Sequence, residues 1–414
     1  MVLGFLSSSE PFIRSIELAM RGFAPFPKFV VLYTALYAAF GVISPFLPAF
    51  LKSHDLATEE IAAVMATGTG IRLLSGPLAG RFADHHRAWR SLFAGCAAAA
   101  AIAALLYLPA HGFWMLLLVT LMQASALAPL APVADALALS SSAGAAGKDF
   151  EYGWVRGTGS AAFIAGSIAA GHAAGFYDLD VVVWLNAILL SAAAFAVLPV
   201  PDIAVPCLDA STKRQAGDTT FLLRIAAFRR VLLIAALVLG SHALHDTYAV
   251  IRWNAAGIGT GTASVLWSES VGAEVIVFFL AGPALLRWLG PSRALALAAA
   301  AAVLRWTVMG MSTHVVALAL VEPLHGLTFA LLHLACMAVI ARTVPSRFAA
   351  TAQAIYGTLA VGASTMLLTL GSGWLYAGMG GQAFWVMAVL CAAALPLAWG
   401  LQQRLVGETS AVPK

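Results

Sequence analysis

Charge is what this chain has least of. Only 10% of its 414 residues are Asp, Glu, Lys or Arg, where an ordinary soluble domain carries roughly 25%. That deficit excludes a soluble enzyme. Cysteine is scarce too: Cys96, Cys207, Cys336 and Cys391 stand far apart, with no CxxC pair and no metal-ligand spacing. The chain also lacks a nucleotide-binding loop and a plausible catalytic triad. A cleavable leader is not expected, because Glu10, Arg14, Glu17 and Arg21 interrupt what would be its apolar core. No cofactor and no nucleic-acid partner is indicated.

What fills the chain instead is apolar sequence: 61% of residues are hydrophobic, in runs longer than the ~20 residues that a helix needs to cross a bilayer. The pattern predicts an all-α membrane protein with twelve spans, near 28–50, 59–80, 91–109, 113–138, 151–174, 181–199, 228–251, 262–286, 294–312, 315–341, 349–376 and 383–402. Before them, residues 9–23 read as a helix lying on the membrane surface. Ser9 can cap it, Pro11 suits its first turn, and Phe12, Ile16, Ala19, Met20 and Phe23 share one face.

The few charges are not spread evenly. Arg81, Arg87, Arg90, Lys148, Lys213, Arg214, Arg224, Arg287, Arg293, Arg342 and Arg347 fall in alternate connections; the remaining connections hold Lys52, Arg252 and the acids Asp55, Asp178 and Asp180. The positive-inside rule therefore puts both termini in the cytoplasm of a cell whose inner membrane the protein spans.

The longest connection, 200–227, divides the chain into six spans and six. The expected organisation is an N-terminal segment 1–27, a bundle 28–199, a linker 200–227, a bundle 228–402 and a tail 403–414. The halves repeat: a shift of 206 residues lays Gly76-Pro77 on Gly282-Pro283 and Arg81 on Arg287, and a shift of 204 lays Tyr152-Gly153 on Tyr356-Gly357. Two similar bundles are the sequence sign of a transporter with a central site. Arg156 breaks the repeat by falling on Ala360, as a substrate residue would.

Charges inside spans are costly, by about 2.5–3.5 kcal/mol each on insertion scales, and mark function by default. Asp135 stands about five residues before its span ends, and Arg156 about five after the next begins. Both thus lie roughly 7–8 Å below the same helix ends at 1.5 Å per residue, and the hairpin can bring them together as a charge pair. Trp154, two residues from Arg156, can offer a ring or sugar an aromatic face. Arg72 lies about 18 Å along its helix from Asp84; it can meet an anionic substrate group or pair with a buried acid. In the second half Asp246, Glu269, Glu274, Arg305, Glu322 and His325 are intramembrane, and Glu322 and His325, three apart, share a helix face. His242, His245 and Asp246 lie within about one turn and read as a proton relay or a metal-like cluster.

Gly80-Arg81-Phe82-Ala83-Asp84 after Pro77 resembles the conserved loop between helices two and three of the major facilitator superfamily. The resemblance assigns the conformational switch to Gly80 and Asp84. Within that superfamily the chain is similar to lactose permease-like symporters and to the phenylpropionate permease group. The stretches that carry this are Tyr37 through Gly41, Pro45-Phe46-Leu47-Pro48, Pro132 through Ala136, Phe150 through Arg156, Ala273-Glu274-Val275-Ile276, Val303-Leu304-Arg305-Trp306, Leu324-His325-Gly326 and Phe384 through Ala388.

The resemblance implies the two-bundle major facilitator fold and a proton-coupled symporter. Substrate would meet Arg72, Asp135, Trp154, Arg156, Arg305 and His325, with the proton carried by Glu274, Glu322 or Asp246. The chain departs from lactose permease where that protein's coupling carboxylate matches Thr328 and its lysine matches Glu322. Among the three acids Glu274 is favoured, as a mid-span residue within the phenylpropionate-permease pattern. The expected substrate is a small aromatic carboxylate such as 3-phenylpropionate, taken up by a monomer in the lipid bilayer. The alternatives are a sugar, a nucleoside or a metal-chelating metabolite, or export. Export is disfavoured because the fifth span has no proline between Glu151 and Ala174.

Overall fold

The computed structural model describes residues 25–142, 150–201 and 217–410; the side chains of Asp84, of 217–220 and of 402–410 fall outside the description. The surface helix expected at 9–23 and most of the 200–227 connection, Cys207 included, also lie outside the described residues. Those residues are helical almost throughout, and no strand occurs among them. The first half comprises α1 (Pro25–Ile43), α2 (Leu47–Ser53), α3 (Thr58–His86), α4 (Trp89–Leu105), α5 (Phe113–Leu127), α6 (Leu130–Ser142), α7 (Tyr152–Phe176) and α8 (Asp180–Ala196). The second comprises α9 (Gly217–Arg224), α10 (Ala226–Gly240), α11 (His242–Ala255), α12 (Thr260–Ile276), α13 (Gly282–Leu289), α14 (Pro291–Met311), α15 (Val315–Val321), α16 (Leu332–Thr343), α17 (Ala349–Ile355), α18 (Ser364–Met379) and α19 (Ala383–Ser410).

Eight helical stretches are long and apolar enough to cross a membrane, counted among the described residues. Trp89–Leu105 and Asp180–Ala196 are shorter apolar helices, and the stretch Ser346–Leu401 contains both α18 and most of α19, divided at Gly380 (φ 54°). Each of the twelve intervals expected from hydropathy contains helix.

Several spans are broken where the pattern gives no warning beyond a proline or glycine. Pro45 follows Ser44 in a turn between α1 and α2, and Pro129 separates α5 from α6. A proline disfavours helix at the residue before it and lacks the amide for the ladder. The connection expected at 81–90 is the clearest difference. Helix α3 runs on to His86, because nothing between Arg81 and His86 breaks it, and the turn shrinks to Arg87 and Ala88. Arg87 takes a left-handed φ of 50°, and the Ala88 amide donates to the Ala83 carbonyl at 3.3 Å. This is a Schellman-type closure with arginine where glycine is usual. Gly80 and Asp84 are therefore helical rather than in a loop. The repeat-related connection turns at Gly290 (φ 73°), directly before Pro291.

The described residues part into two compact units, one within Met1–Ser44 and Ile71–Asp209, the other within Pro45–Gly70 and Ala210–Lys414. The division falls inside α3. In a bilayer, lipid tails are as apolar as leucine, so helices associate by close packing rather than by hydrophobic expulsion.

In the first unit α1 packs along α7, and two glycines permit the approach. A Cβ on Gly166 would stand 2.5 Å from the Ala38 carbonyl oxygen, and one on Gly41 would overlap the Phe163 carbonyl. Around this seam lie the buried Phe29, Leu32, Leu36, Val155 and Ala162. Asn186 of α8 donates to the Ala39 carbonyl at 2.8 Å and accepts from Gln123 of α5 at 2.9 Å, so a buried amide pair ties three helices together.

In the second unit α14 and α19 form the main seam. Trp306 donates to Ser241 at 2.8 Å across to the break between α10 and α11. Pro45–Gly70, which the hydropathy pattern groups with the first bundle, packs here. The Tyr248 hydroxyl donates to the Thr58 carbonyl at 2.7 Å, and Gly373 sits against Glu59 and Ala62. Three spans of this unit widen into π-helical turns: Val277–Ala281 after α12, Gly326–Leu331 before α16, and Tyr356–Ala363 between α17 and α18. Such turns recur at functional sites because they displace side chains from the regular helical stripe.

Candidate functional site

A polar cluster occupies the interior of each unit.

In the first, α1 presents Tyr33 and Tyr37, one helical turn apart and stacked with ring centres 5.4 Å apart. The Tyr33 hydroxyl donates to Asp135 Oδ1 of α6 at 2.6 Å. The Arg156 guanidinium, from the second turn of α7, lies over the Tyr37 ring at 4.7 Å, a cation–π contact. The Tyr152 hydroxyl lies beside both Asp135 and Tyr33. Asp135 and Arg156 are therefore brought into one cluster, but not as the charge pair expected from the hairpin. The arginine takes an aromatic face and the aspartate takes a phenol, and the charges are linked through the tyrosine stack. Neither has an ion-pair partner among the described residues.

Trp154 does not join this cluster. Two residues place it about 200° around α7 from Arg156, and it is 70% exposed. Arg72, in α3, is exposed and has no ion-pair partner among the described residues, which leaves the expected buried acid unfound. Gly80 has open space around its Cα, and the side chain of Asp84 lies outside the description.

The second cluster is denser. Arg305 of α14 and Glu322 are both fully buried, with Nη2 to Oε2 at 2.6 Å. Glu322 stands in the single 3-10 turn Glu322–Leu324, where Pro323 follows it. Its carboxylate also accepts from Ser270 of α12 and meets His245 Nε2 at 3.1 Å. The other His245 nitrogen faces Asp246 at 3.2 Å, and Asp246 is 51% exposed. An imidazole with a carboxylate at each nitrogen donates to both only when doubly protonated.

On the opposite side, Arg305 Nη1 meets His325 Nδ1 at 3.0 Å. A guanidinium can only donate, so Nδ1 accepts and the ring proton sits on Nε2. That nitrogen faces Glu274 Oε2 of α12 at 3.6 Å, and Glu274 is 31% exposed. The cluster is thus a continuous row, Asp246, His245, Glu322, Arg305, His325, Glu274, closed at its centre and open at a carboxylate on each end. His242, the third histidine, bonds Thr328 at 2.9 Å and stands edge-on to His325.

Arg305, His325, Glu274, Glu322 and Asp246, all singled out in the sequence, come together here. Tyr33, Tyr37 and Ser270 had no role in that reading, although Tyr37 lies in one of the stretches that carry the resemblance. Each is a hydroxyl within an apolar run, which by sequence alone looks like ordinary packing. Glu269 keeps one carboxylate oxygen buried without a partner and stays outside the row.

A family model described as "MFS_1 like family" matches residues 28–387. The chain belongs to that family. It is 31% identical over 366 residues to the "Probable 3-phenylpropionic acid transporter" of Escherichia coli (strain K12), covering 88% of this chain and 94% of that one. It is 24% identical over 348 residues to the "Maltose permease" of Geobacillus stearothermophilus, covering 84% and 86%. Among solved structures, the nucleoside transporter NupG superposes with a TM-score of 0.79 at 17% identity, covering 92% of this chain and 99% of that chain. The POT family transporter PepTSo gives 0.70 at 13%, covering 93% and 98%. At such identities the last two establish fold only. This MFS_1 like chain is a multi-pass transport protein for small molecules and not an enzyme, and its fold is that of the major facilitator superfamily.

Proposed function

We propose that the protein is a proton-coupled symporter that imports an aromatic carboxylate such as 3-phenylpropionate by alternating access. The observation that carries this reading is Arg156, a guanidinium with no carboxylate partner among the described residues, held over the Tyr37 ring in a tyrosine-lined site. A cation fixed this way has its hydrogen-bonding edge free for a substrate carboxylate, and the rings beside it suit an apolar body. Arg72, equally unpaired, is a second candidate for the anion. The 31% identical relative named for 3-phenylpropionic acid supports the same substrate class.

The proton is assigned to Glu274. Of the three candidate acids, Glu322 is held by Arg305, His245 and Ser270 and cannot titrate without breaking a buried pair. Asp246 is open but lies at the far end of the row. Glu274 is partly open and stands 3.6 Å from His325, which meets Arg305, so loading it can be transmitted to the buried pair. Arg305 and His325 then act as the link between proton and substrate steps. Gly80 and Asp84, near the end of α3, keep the proposed role in the conformational switch, and Trp154 is assigned to the lipid boundary. We place the protein in the inner membrane as a monomer, with two bundles, 28–199 and 228–402, and with both termini cytoplasmic.

The test is uptake of labelled 3-phenylpropionate into proteoliposomes with and without an inward proton gradient, beside sugars and nucleosides. Gradient-driven accumulation of the aromatic acid alone is expected. Accumulation that ignores the gradient contradicts symport, and preference for a sugar or nucleoside contradicts the substrate class.

A further inference from the structure

His245 is surrounded as a cation would be. Its side chain is buried, yet each ring nitrogen meets a carboxylate, Nε2 at 3.1 Å from Glu322 Oε1 and Nδ1 at 3.2 Å from Asp246 Oδ1. Three buried tryptophans stand around the ring. Trp267 stacks on it at 5.1 Å, and Trp253 and Trp306 approach to 5.9 Å. Indole rings attract a cation near their faces, most strongly away from water. One positive group opposes this: Arg305 Nη2 lies 3.4 Å from Nε2. That nitrogen already donates to Glu322 Oε2 at 2.6 Å, and Glu322 Oε1 is the nearer neighbour of Nε2. A lone pair on Nε2 would therefore face a carboxylate oxygen, so both ring nitrogens carry protons. Among the described residues, Glu322, Asp246 and Arg305 are the charged side chains that reach the ring. His242, one turn back on α11, competes for neither carboxylate, because its Nδ1 meets the Val238 carbonyl and its Nε2 meets Thr328.

We infer that His245 is a second proton site, exchanged through Asp246 and carried through the cycle beside the proton on Glu274. This goes beyond the symport reading and rests on it. The step is a shift along one hydrogen bond. The Nδ1–H bond breaks, the proton joins Asp246 Oδ1, and the half-exposed acid passes it to water. The electron pair left on Nδ1 makes the ring neutral, while Nε2–H still donates to Glu322. No buried charge is stranded, because Glu322 keeps Arg305 and Ser270. The Arg305–Glu322 pair has no such freedom, since losing either charge leaves the other alone in the interior. His245 can thus load and empty where the pair beside it cannot. Glu322, Arg305 and His325 join it to Glu274, so both protons belong to one row. A carboxylate substrate brings one negative charge, and two protons then make each turnover carry one net positive charge inward.

The experiment sets a potassium-diffusion potential, inside negative, across proteoliposomes of the full chain at equal pH on both sides and follows labelled 3-phenylpropionate. A parallel sample has a pH gradient and no potential. The parent protein should accumulate the acid in both, to a limit of about tenfold for every ~60 mV in the first. In His245→Gln and, separately, in Asp246→Asn, the ratio of potential-driven to pH-driven accumulation should fall toward zero. Glu274 alone moves one proton with one anion, which is no net charge. Asp246 is half-exposed, so its variant decides the matter where His245→Gln does not fold. A parent that answers to the pH gradient but not to the potential overturns the inference and leaves symport standing. So does a ratio that Asp246→Asn leaves unchanged. If neither sample accumulates the acid, the symport reading falls as well.

Discussion

Arg305 and Glu322 form an ion pair with neither side chain exposed, Nη2 to Oε2 at 2.6 Å. Ser270 and His245 complete the carboxylate's contacts, while Arg305 Nε has no partner among the described residues. Breaking such a pair from one side leaves a lone buried charge, which costs about 3–5 kcal/mol. Glu322→Gln should therefore lower thermal stability in detergent sharply. The double variant Arg305→Met with Glu322→Leu should recover much of that loss while remaining inactive in accumulation. Unfolding followed by tryptophan fluorescence reads both.

Glu274 separates coupling from binding. Glu274→Gln keeps a hydrogen-bonding partner for His325 but cannot carry a proton. It should retain exchange of labelled for unlabelled substrate across the membrane and lose accumulation driven by a proton gradient. Asp246→Asn should accumulate substrate at a rate close to wild type. If Asp246→Asn shows the uncoupled behaviour instead, the proton enters the row from its other end.

Tyr37 holds Arg156 by its ring face, not by its hydroxyl. Tyr37→Phe should therefore bind substrate almost as the parent does. Tyr37→Leu should weaken binding by about 2- to 30-fold, the range set by a cation–π contact of roughly 0.5–2 kcal/mol. Counterflow at graded substrate concentrations distinguishes the two variants.

The seam between α1 and α7 has no room for a side chain at Gly166, where a Cβ would meet Ala38. Gly166→Val should destabilise the protein by about 1–3 kcal/mol through overpacking. Gly95→Ala in α4, where the space is open, should be neutral or slightly stabilising. Yield of monodisperse protein and melting temperature measure the contrast.

The fold was readable because its cause is local: a run of apolar residues long enough to span a bilayer leaves the backbone no option but helix. The intramembrane charges were readable for the same reason, since each stands out against an apolar background. Glu322 and His325 could be placed on one face by spacing alone. What spacing does not carry is the choice of partner. Nothing local tells that His245 meets Glu322 across 77 positions, or that Arg156 prefers the Tyr37 ring to Asp135. Tyr33 and Tyr37 read as packing until α6 supplies the carboxylate and α7 the guanidinium. The sequence marks no stop at the end of α3, because arginine rarely adopts the left-handed conformation that Arg87 takes. The grouping of Pro45–Gly70 with the second unit is likewise a tertiary choice, made by contacts such as Tyr248 with Thr58.

The central claim is that Arg156 binds the substrate carboxylate. Its most direct measurement is proton-gradient-driven uptake of labelled 3-phenylpropionate by Arg156→Ala and Arg156→Lys beside the parent protein, each at matched reconstituted amounts. Near-complete loss is expected with alanine and partial recovery with lysine, which keeps the charge but neither stacks on Tyr37 as a plane nor presents a two-pronged donor. Uptake by Arg156→Ala equal to that of the parent would contradict the central claim.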